Sequence, residues 1–275
     1  MEKIKKLLNK CPMLFKLFKA FYRKIVCPIR SGFFPMYYIY CLFVKKKEIT
    51  ALSVMGFKNI CVFSPESWRY GRDYDKVYRR YYTAEKDNVK CFIKIATEND
   101  SSLQNEILIQ KELMKKSFDW LPACVSAQTD FYGDVSLLAV HFESGLKRFE
   151  LPLTKEEFNS VCSKYVEILD ELNELGLVHS DIHAGNLMID SIGSLHLIDF
   201  GISRFIKKDN DVDYLARPGT FYETTESGRR YDDAYSFVCL MRKLELPDEW
   251  KNAYYYKEIE ARIGRCCNEV QLRNK

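Results

Sequence analysis

Apolar residues recur along this chain in two rhythms. Over residues 1–30, Ile4, Leu7, Leu8, Cys11, Leu14, Phe15, Phe18, Phe21, Tyr22 and Ile25 fall at i, i+3, i+4 spacing with lysines between them. That pattern predicts a basic amphipathic helix, divided at Pro12, which lacks an N–H and clashes with the preceding turn. Residues 33–44 form an aromatic patch capped by Lys45, Lys46 and Lys47. From about residue 49 the rhythm changes. Segments 60–63, 76–82 and 89–96, rich in β-branched and aromatic residues, predict strands, the last two separated by the turn-like Glu85–Asn88. A helix is expected over 101–116 and another strand over 135–142. Thr154 and Glu157 form a capping box. Phe158, Val161, Cys162, Tyr165, Ile168, Leu169 and Leu172 then share one helical face, and Gly176 stands where a left-handed C-cap belongs.

Strands with one helix, then a mostly helical remainder, give an α+β chain of two lobes. We divide it into a basic N-terminal extension (1–47), a β-rich lobe ending in a hinge (48–145) and a helical lobe (146–275). A length of 275 residues with 47% hydrophobic and 29% charged residues is enough to bury a core and excludes disorder as the main state. Charge sharpens the division. Residues 1–47 carry twelve Lys/Arg and one acid, a net +11, while the rest carries 30 bases and 37 acids, a net −7. A main body of that sign gives no footprint for nucleic acid. The extension, basic with an apolar face, is expected to touch anionic membrane surfaces peripherally. The apolar run 32–44 is too short to span a bilayer, which takes about 20 residues. Ten scattered cysteines without ligand spacing, and no cleavable leader, place the chain in a reducing cytoplasmic compartment.

The chemistry is concentrated in residues 179–201, which read His-Ser-Asp181-Ile-His183-Ala-Gly-Asn186, a short apolar strand, a Gly-containing turn, a second strand and Asp199-Phe200-Gly201. A hairpin between the two strands returns Asp199 to the neighbourhood of Asn186 and Asp181. Two oxygen donors so placed suit Mg²⁺, and the third carboxylate is left to orient a nucleophilic hydroxyl. This H-x-D-x-x-x-x-N loop followed by D-F-G resembles the protein-kinase superfamily, over roughly residues 55–245.

The resemblance implies a two-lobed kinase-like fold and roles for particular residues. Asp181 would orient the acceptor hydroxyl and take its proton, and Asn186 and Asp199 would hold Mg²⁺. Lys94, in Cys91-Phe-Ile-Lys94, matches the lysine that binds the ATP phosphates. Lys90 is the competing lysine, without the matching apolar residues before it. The lysine's partner is expected to be Glu106 rather than Glu112, which lies six positions on and about 240° around the helix. His141 and Glu143 would line a hinge against adenine. Asp233, in Asp-Ala-Tyr-Ser-Phe, matches the residue that anchors the catalytic loop, and His179 is expected to pack beneath that loop.

The departures are equally specific. The segment between the first two strands has a single glycine, Gly71, where the family has a Gly-rich loop. Ser180 replaces the arginine that pairs an activation-loop phosphate, so phosphorylation should not gate activity. Residues 217–226 resemble the end of an activation segment with Thr224-Thr225-Glu226 in place of A-P-E. Only 31 residues follow Leu244, so the helices that often dock peptides should be reduced. The expected activity is ATP-dependent phosphoryl transfer to a hydroxyl, with a protein Ser/Thr acceptor as the first reading. His183, Ser180 and the short second lobe favour the alternative, a lipopolysaccharide-core or other sugar acceptor. A catalytically inactive scaffold is a third reading, disfavoured because Lys94, Asp181, Asn186 and Asp199 are all present.

Overall fold

A computed structural model describes residues 34–63, 69–70, 77–96, 101–132, 135–142, 145–150, 154–205, 223–224, 228–265 and 267–271. At 34–42, 69–70, 77–79, 223–224, 228–231 and 267–271 the backbone alone is described. The expected helix over 1–30, most of the segment 64–73, Glu143, and residues 217–226 apart from 223–224 therefore lie outside the described residues.

The first described element is helix α1 (Phe34–Val54), which runs without a break across residue 47. Five strands follow in an antiparallel sheet: β1 (Lys58–Val62), β3 (Val77–Lys86), β4 (Val89–Ala96), β6 (Val135–His141) and β5 (Cys124–Tyr132), in that spatial order. A short β2 (Arg69–Tyr70) adds to β3. Residues opposed across antiparallel strands share a face. Tyr82, Ile93 and Ala139 are therefore on one side, and Tyr81, Lys94 and Leu138 on the other. Each side is covered by one helix. Leu52, at the end of α1, and Phe57 just beyond it join Tyr82, Ala84, Cys91, Ile93, Ile95, Leu137 and Ala139 in a buried cluster. Helix α2 (Ser101–Leu113) covers the Lys94 side through Leu103 and Ile107 against Ala96 and Leu138.

A buried charge fastens α1 to the sheet. Glu48 is ion-paired with Arg80. It also accepts hydrogen bonds from the Tyr82 hydroxyl at 2.6 Å and the Tyr132 hydroxyl at 2.8 Å. Glu48 and Arg80 are both buried. Removing one member of a buried ion pair costs about 3–5 kcal/mol. Glu48→Ala should therefore lose about that much in urea unfolding, and unchanged stability would mean that α1 is not held by this knot.

The second lobe is built on α3 (Lys155–Leu175). Its start is the foreseen capping box: the Thr154 hydroxyl accepts the Glu157 N–H at 3.1 Å and the Glu157 carboxylate accepts the Thr154 N–H at 2.7 Å. It ends on Gly176 at φ 61°, a conformation that suits glycine. Its buried face packs against α4 (Asp233–Lys243) and α5 (Tyr254–Glu260), with Tyr165 stacked on Phe237 at 4.2 Å between ring centroids. Tyr256 and Ile259 are buried in the same core.

Small strands carry the loops that matter. β7 (Lys147–Arg148), just past the hinge, pairs with β9 (Leu187–Ile189), and β9 pairs with β10 (Leu195–Leu197). β8 (Leu177–Val178) pairs with β11 (Arg204–Phe205). Farther on, β12 (Glu223–Thr224), β13 (Gly228–Asp232) and β14 (Cys267–Gln271) form a separate three-stranded sheet. No described helix is long and apolar enough to cross a membrane. The five cysteines whose side chains are described all carry free thiols.

Candidate active site

The loop from His179 to Asn186 connects β8 to β9, and its shape is set from below by one carboxylate. Asp233, the first residue of α4, accepts the His179 N–H at 2.7 Å and the Ser180 N–H at 2.9 Å. These bonds hold Ser180 at φ 66°, a strained conformation for a residue with a side chain. The helix cap itself is the neighbouring Asp232, whose carboxylate accepts the Tyr235 N–H at 2.7 Å. Adjacent aspartates thus divide two tasks: one caps α4 and the other moulds the loop.

His179 fills the space beneath the loop. Its Nε2 lies 3.0 Å from the Ile198 carbonyl, its Nδ1 accepts the Asp181 N–H, and its ring meets Phe200 edge-on at 4.7 Å. Burial pushes its pKa down to about 4. The unfolded chain, with the ordinary value of 6.5, binds more protons between pH 6.5 and 4. Stability is therefore full above the unfolded value and is lost on acidification through that window. Asp233 acts in the opposite sense: burial, partly offset by its N–H bonds, pushes it up to about 7. A paired comparison isolates the histidine. Between pH 7 and 4 the parent should lose about 3 kcal/mol more stability than His179→Phe; equal losses would show that the imidazole has the same pKa in the folded and unfolded chain.

The loop top brings Asp181 and Asn186 together. The Asn186 amide nitrogen donates to the Asp181 carbonyl at 2.9 Å and to Asp181 Oδ2 at 3.3 Å. Both residues are buried. The β9–β10 hairpin returns the chain as foreseen, and the Ile198 N–H donates to the Asn186 carbonyl at 3.0 Å. Asp199 follows at φ 70°.

Lys94 of β4 reaches both lobes. Its Nζ lies 2.7 and 2.9 Å from the two carboxylate oxygens of Glu106 on α2, and 3.1 Å from Asp199 Oδ1. Burial pushes the ammonium pKa down, but the Asp199 and Glu106 carboxylates outweigh it and the net shift is upward, so Lys94 stays charged. Lys90 is exposed on the same strand, and Glu112 pairs with Lys115 at the surface. His141 ends β6, opposite Cys91.

Residues that the sequence reading did not single out complete the site. The Asn105 side-chain amide donates to the carbonyls of Phe200, Gly201 and Ser203, at 3.4, 3.1 and 2.9 Å, and so clasps α2 to the turn after Asp199. A side chain at Gly201 would run into Ser102 Oγ at 2.5 Å, so glycine is what lets helix and turn approach. The only signal in the sequence was Asn105's place beside Glu106. On the Lys94 face, Phe92 stacks on Tyr81 at 5.6 Å and meets Phe63 at 5.1 Å and Phe142 at 6.2 Å.

The sequence is also similar to kinase-like proteins. Residues 144–225 match the family profile of the ABC1 atypical kinase-like domain. A probable cell division protein kinase of Encephalitozoon cuniculi is 32% identical over 108 residues, 38% of this chain and 34% of that protein. The CTD kinase subunit alpha of Schizosaccharomyces pombe is 24% identical over 182 residues, 62% of this chain and 31% of its own. The serine/threonine-protein kinase tricornered of Drosophila melanogaster is 32% identical over 80 residues, 27% of this chain and 17% of its own. These matches support membership of the protein-kinase-like superfamily. The matched stretches span about a third or less of these relatives' lengths.

The residues present would suit a hard divalent cation. No group of three or more His, Cys, Asp or Glu side chains among the described residues could hold a metal alone. The chemistry of the donor pair nevertheless fits Mg²⁺ shared with phosphate oxygens. Asn186, with its amide nitrogen committed to Asp181, turns its amide oxygen the other way. Asp199 keeps about a third of its side chain exposed.

Proposed function

We propose that this kinase-like protein is an ATP-dependent phosphotransferase that moves the γ-phosphoryl group to a hydroxyl acceptor, with protein Ser/Thr side chains as the first acceptor class. The observation that carries the reading is a pair of constellations, Lys94 with Glu106 and Asp199, and Asp181 with Asn186, joined through the Ile198 N–H bond to the Asn186 carbonyl just before Asp199. In this reading the nucleotide base lies by the hinge at His141 and Glu143, beside the aromatic wall of Phe92 and Phe142. Lys94, held by Glu106, takes the α- and β-phosphates. Asn186 and Asp199 would hold Mg²⁺, which when bound neutralises phosphate charge. Asp181 accepts the proton of the acceptor hydroxyl as its oxygen attacks. Placement and charge neutralisation then supply most of the rate.

A sugar or lipopolysaccharide-core acceptor is the second reading. It is favoured by His183 and Ser180 in the loop. Incubation with γ-labelled ATP and Mg²⁺ in the presence of generic protein substrates or a cell-envelope glycan extract decides between them. Label in the protein fraction supports the first reading and label in the glycan fraction the second. Label in neither, with ATP intact, points to an inactive scaffold.

We also propose that the +11 segment 1–47 rests on anionic lipid at the inner face of the membrane, with α1, tied to the sheet through Glu48, as its rigid connection to the kinase-like body. Each basic residue near such a surface contributes about 1 kcal/mol, and salt screens the attraction. The full chain should co-sediment with anionic vesicles at low salt and be released at high salt. A full chain carrying Lys3, Lys5, Lys6 and Lys10 all changed to Gln should bind markedly less; equal binding would contradict the proposal.

A further inference from the structure

His183 points a ring nitrogen at the carboxylate of Asp181, and its pose is set by Gly185. The Gly185 N–H donates to His183 Nδ1 at 2.9 Å. A nitrogen that accepts carries no proton, so in the neutral ring the proton sits on Nε2. That Nε2 lies 3.6 Å from Asp181 Oδ2. The separation is too long for a hydrogen bond and short enough for one oxygen atom to touch both groups. Asp181 is buried while His183 is partly exposed. Gly185 is the only residue type that leaves the ring where it is. A Cβ there would stand 2.8 Å from His183 Cε1 and 3.0 Å from its Nδ1, and the ring would have to move.

A hydroxyl group needs both of these partners when it is to react. It donates its proton to a carboxylate and accepts a hydrogen bond on a lone pair, which fixes the direction of the remaining lone pair. We propose that the acceptor hydroxyl sits between Asp181 Oδ2 and His183 Nε2–H, and that Gly185 is the positioning residue that fixes the tautomer and place of His183. The inference rests on the phosphotransferase reading. It adds to that reading a second group that contacts the acceptor and a residue that acts through it. In the transfer step the acceptor oxygen forms its bond to the γ-phosphorus as the bond to the β–γ bridging oxygen breaks. The hydroxyl proton passes to Asp181, ADP leaves, and His183 keeps its own proton throughout.

Two measurements on the full chain test this, one independent of turnover. The chain has four histidines, so ¹⁵N-resolved NMR can assign each ring. His183 should be the Nε2–H tautomer in the parent chain, and its ring signals should shift in Gly185→Ala while those of His196 stay. A His183 ring with its proton on Nδ1, or one indifferent to Gly185→Ala, overturns the positioning claim whatever the activity. The second measurement is label transfer from γ-labelled ATP to whichever acceptor fraction the parent labels. His183→Ala and Gly185→Ala should each lower kcat about ten- to a hundredfold, with the KM for ATP within about twofold. The double variant should fall no further than His183→Ala alone, because Gly185 acts through the ring. His183→Gln, which returns an N–H near the Nε2 position, should recover most of the loss. Multiplying losses in the double variant, no rescue by Gln, or a loss carried in the KM for ATP would each overturn the inference. A parent chain that transfers no label to any acceptor fails the phosphotransferase reading instead, and the NMR result then stands as a statement about the loop alone.

Discussion

Asp181→Asn should lower phosphoryl transfer by about a hundredfold to ten-thousandfold, the range that a positioned general base supplies, while nucleotide still binds. The substitution is nearly isosteric, and the contacts that shape the loop, from Asp233 to the backbone of His179 and Ser180, do not involve the changed group. What is lost is a carboxylate able to accept a proton at the site where the acceptor must sit. The check is a pair of measurements on one preparation: nucleotide affinity by calorimetry and label transfer under saturating ATP. Transfer near the parent rate would remove Asp181 from the chemistry. Loss of nucleotide binding together with transfer would give it a structural role.

Lys94→Met should cost at least about a hundredfold in transfer, as the removal of one preorganised charge from a transition-state site does. Here nucleotide affinity should fall as well. The lysine bridges Glu106 of the first lobe and Asp199 of the second. Its removal takes a positive charge from beside those two carboxylates, and a triphosphate approaching them meets more repulsion. Asp199→Ala separates the two effects, because Lys94 keeps Glu106 while the proposed cation donor is lost. Transfer should fall to a similar depth with the fold retained. A Lys94→Met protein that binds and turns over ATP normally would mean that the ion-pair cluster serves only to join the lobes.

Much of this arrangement was legible in the residues, for reasons that differ by element. Helix α3 was clear from end to end because local chemistry sets both its limits, the Thr154–Glu157 box and the left-handed Gly176. Strand β4 was found over its full length because Cys91, Ile93 and Ile95 alternate with residues of the other face. Glu106 was separable from Glu112 by helical angle alone. Strand β5 was not foreseen. Its sequence, with Ser126, Gln128, Thr129 and Asp130, has little apolar alternation, and its pairing with β6 is interrupted by irregularities of register. An edge strand of that kind is specified by its partner more than by its own residues. Helix α1 was read only as an aromatic patch with lysines, since its hydrophobicity does not fall on one face. The buried Glu48 that ties it down gains meaning only once Arg80, Tyr82 and Tyr132 are brought to it from distant strands. Helix α2 stops at Leu113 rather than near residue 116, because the chain turns there to bury Trp120 in the core of the second lobe.

The central claim is that the cleft between Lys94 and Asp181 transfers a phosphoryl group. Its most direct test is to follow ADP and covalent phosphoester together, with the full chain, Mg²⁺, γ-labelled ATP and the protein and glycan acceptor fractions. The account predicts that ADP and labelled phosphoester appear in equal amounts in one fraction, and that both vanish in Asp181→Asn. ATP that remains intact with every acceptor, or label transfer that persists undiminished in that variant, would contradict it.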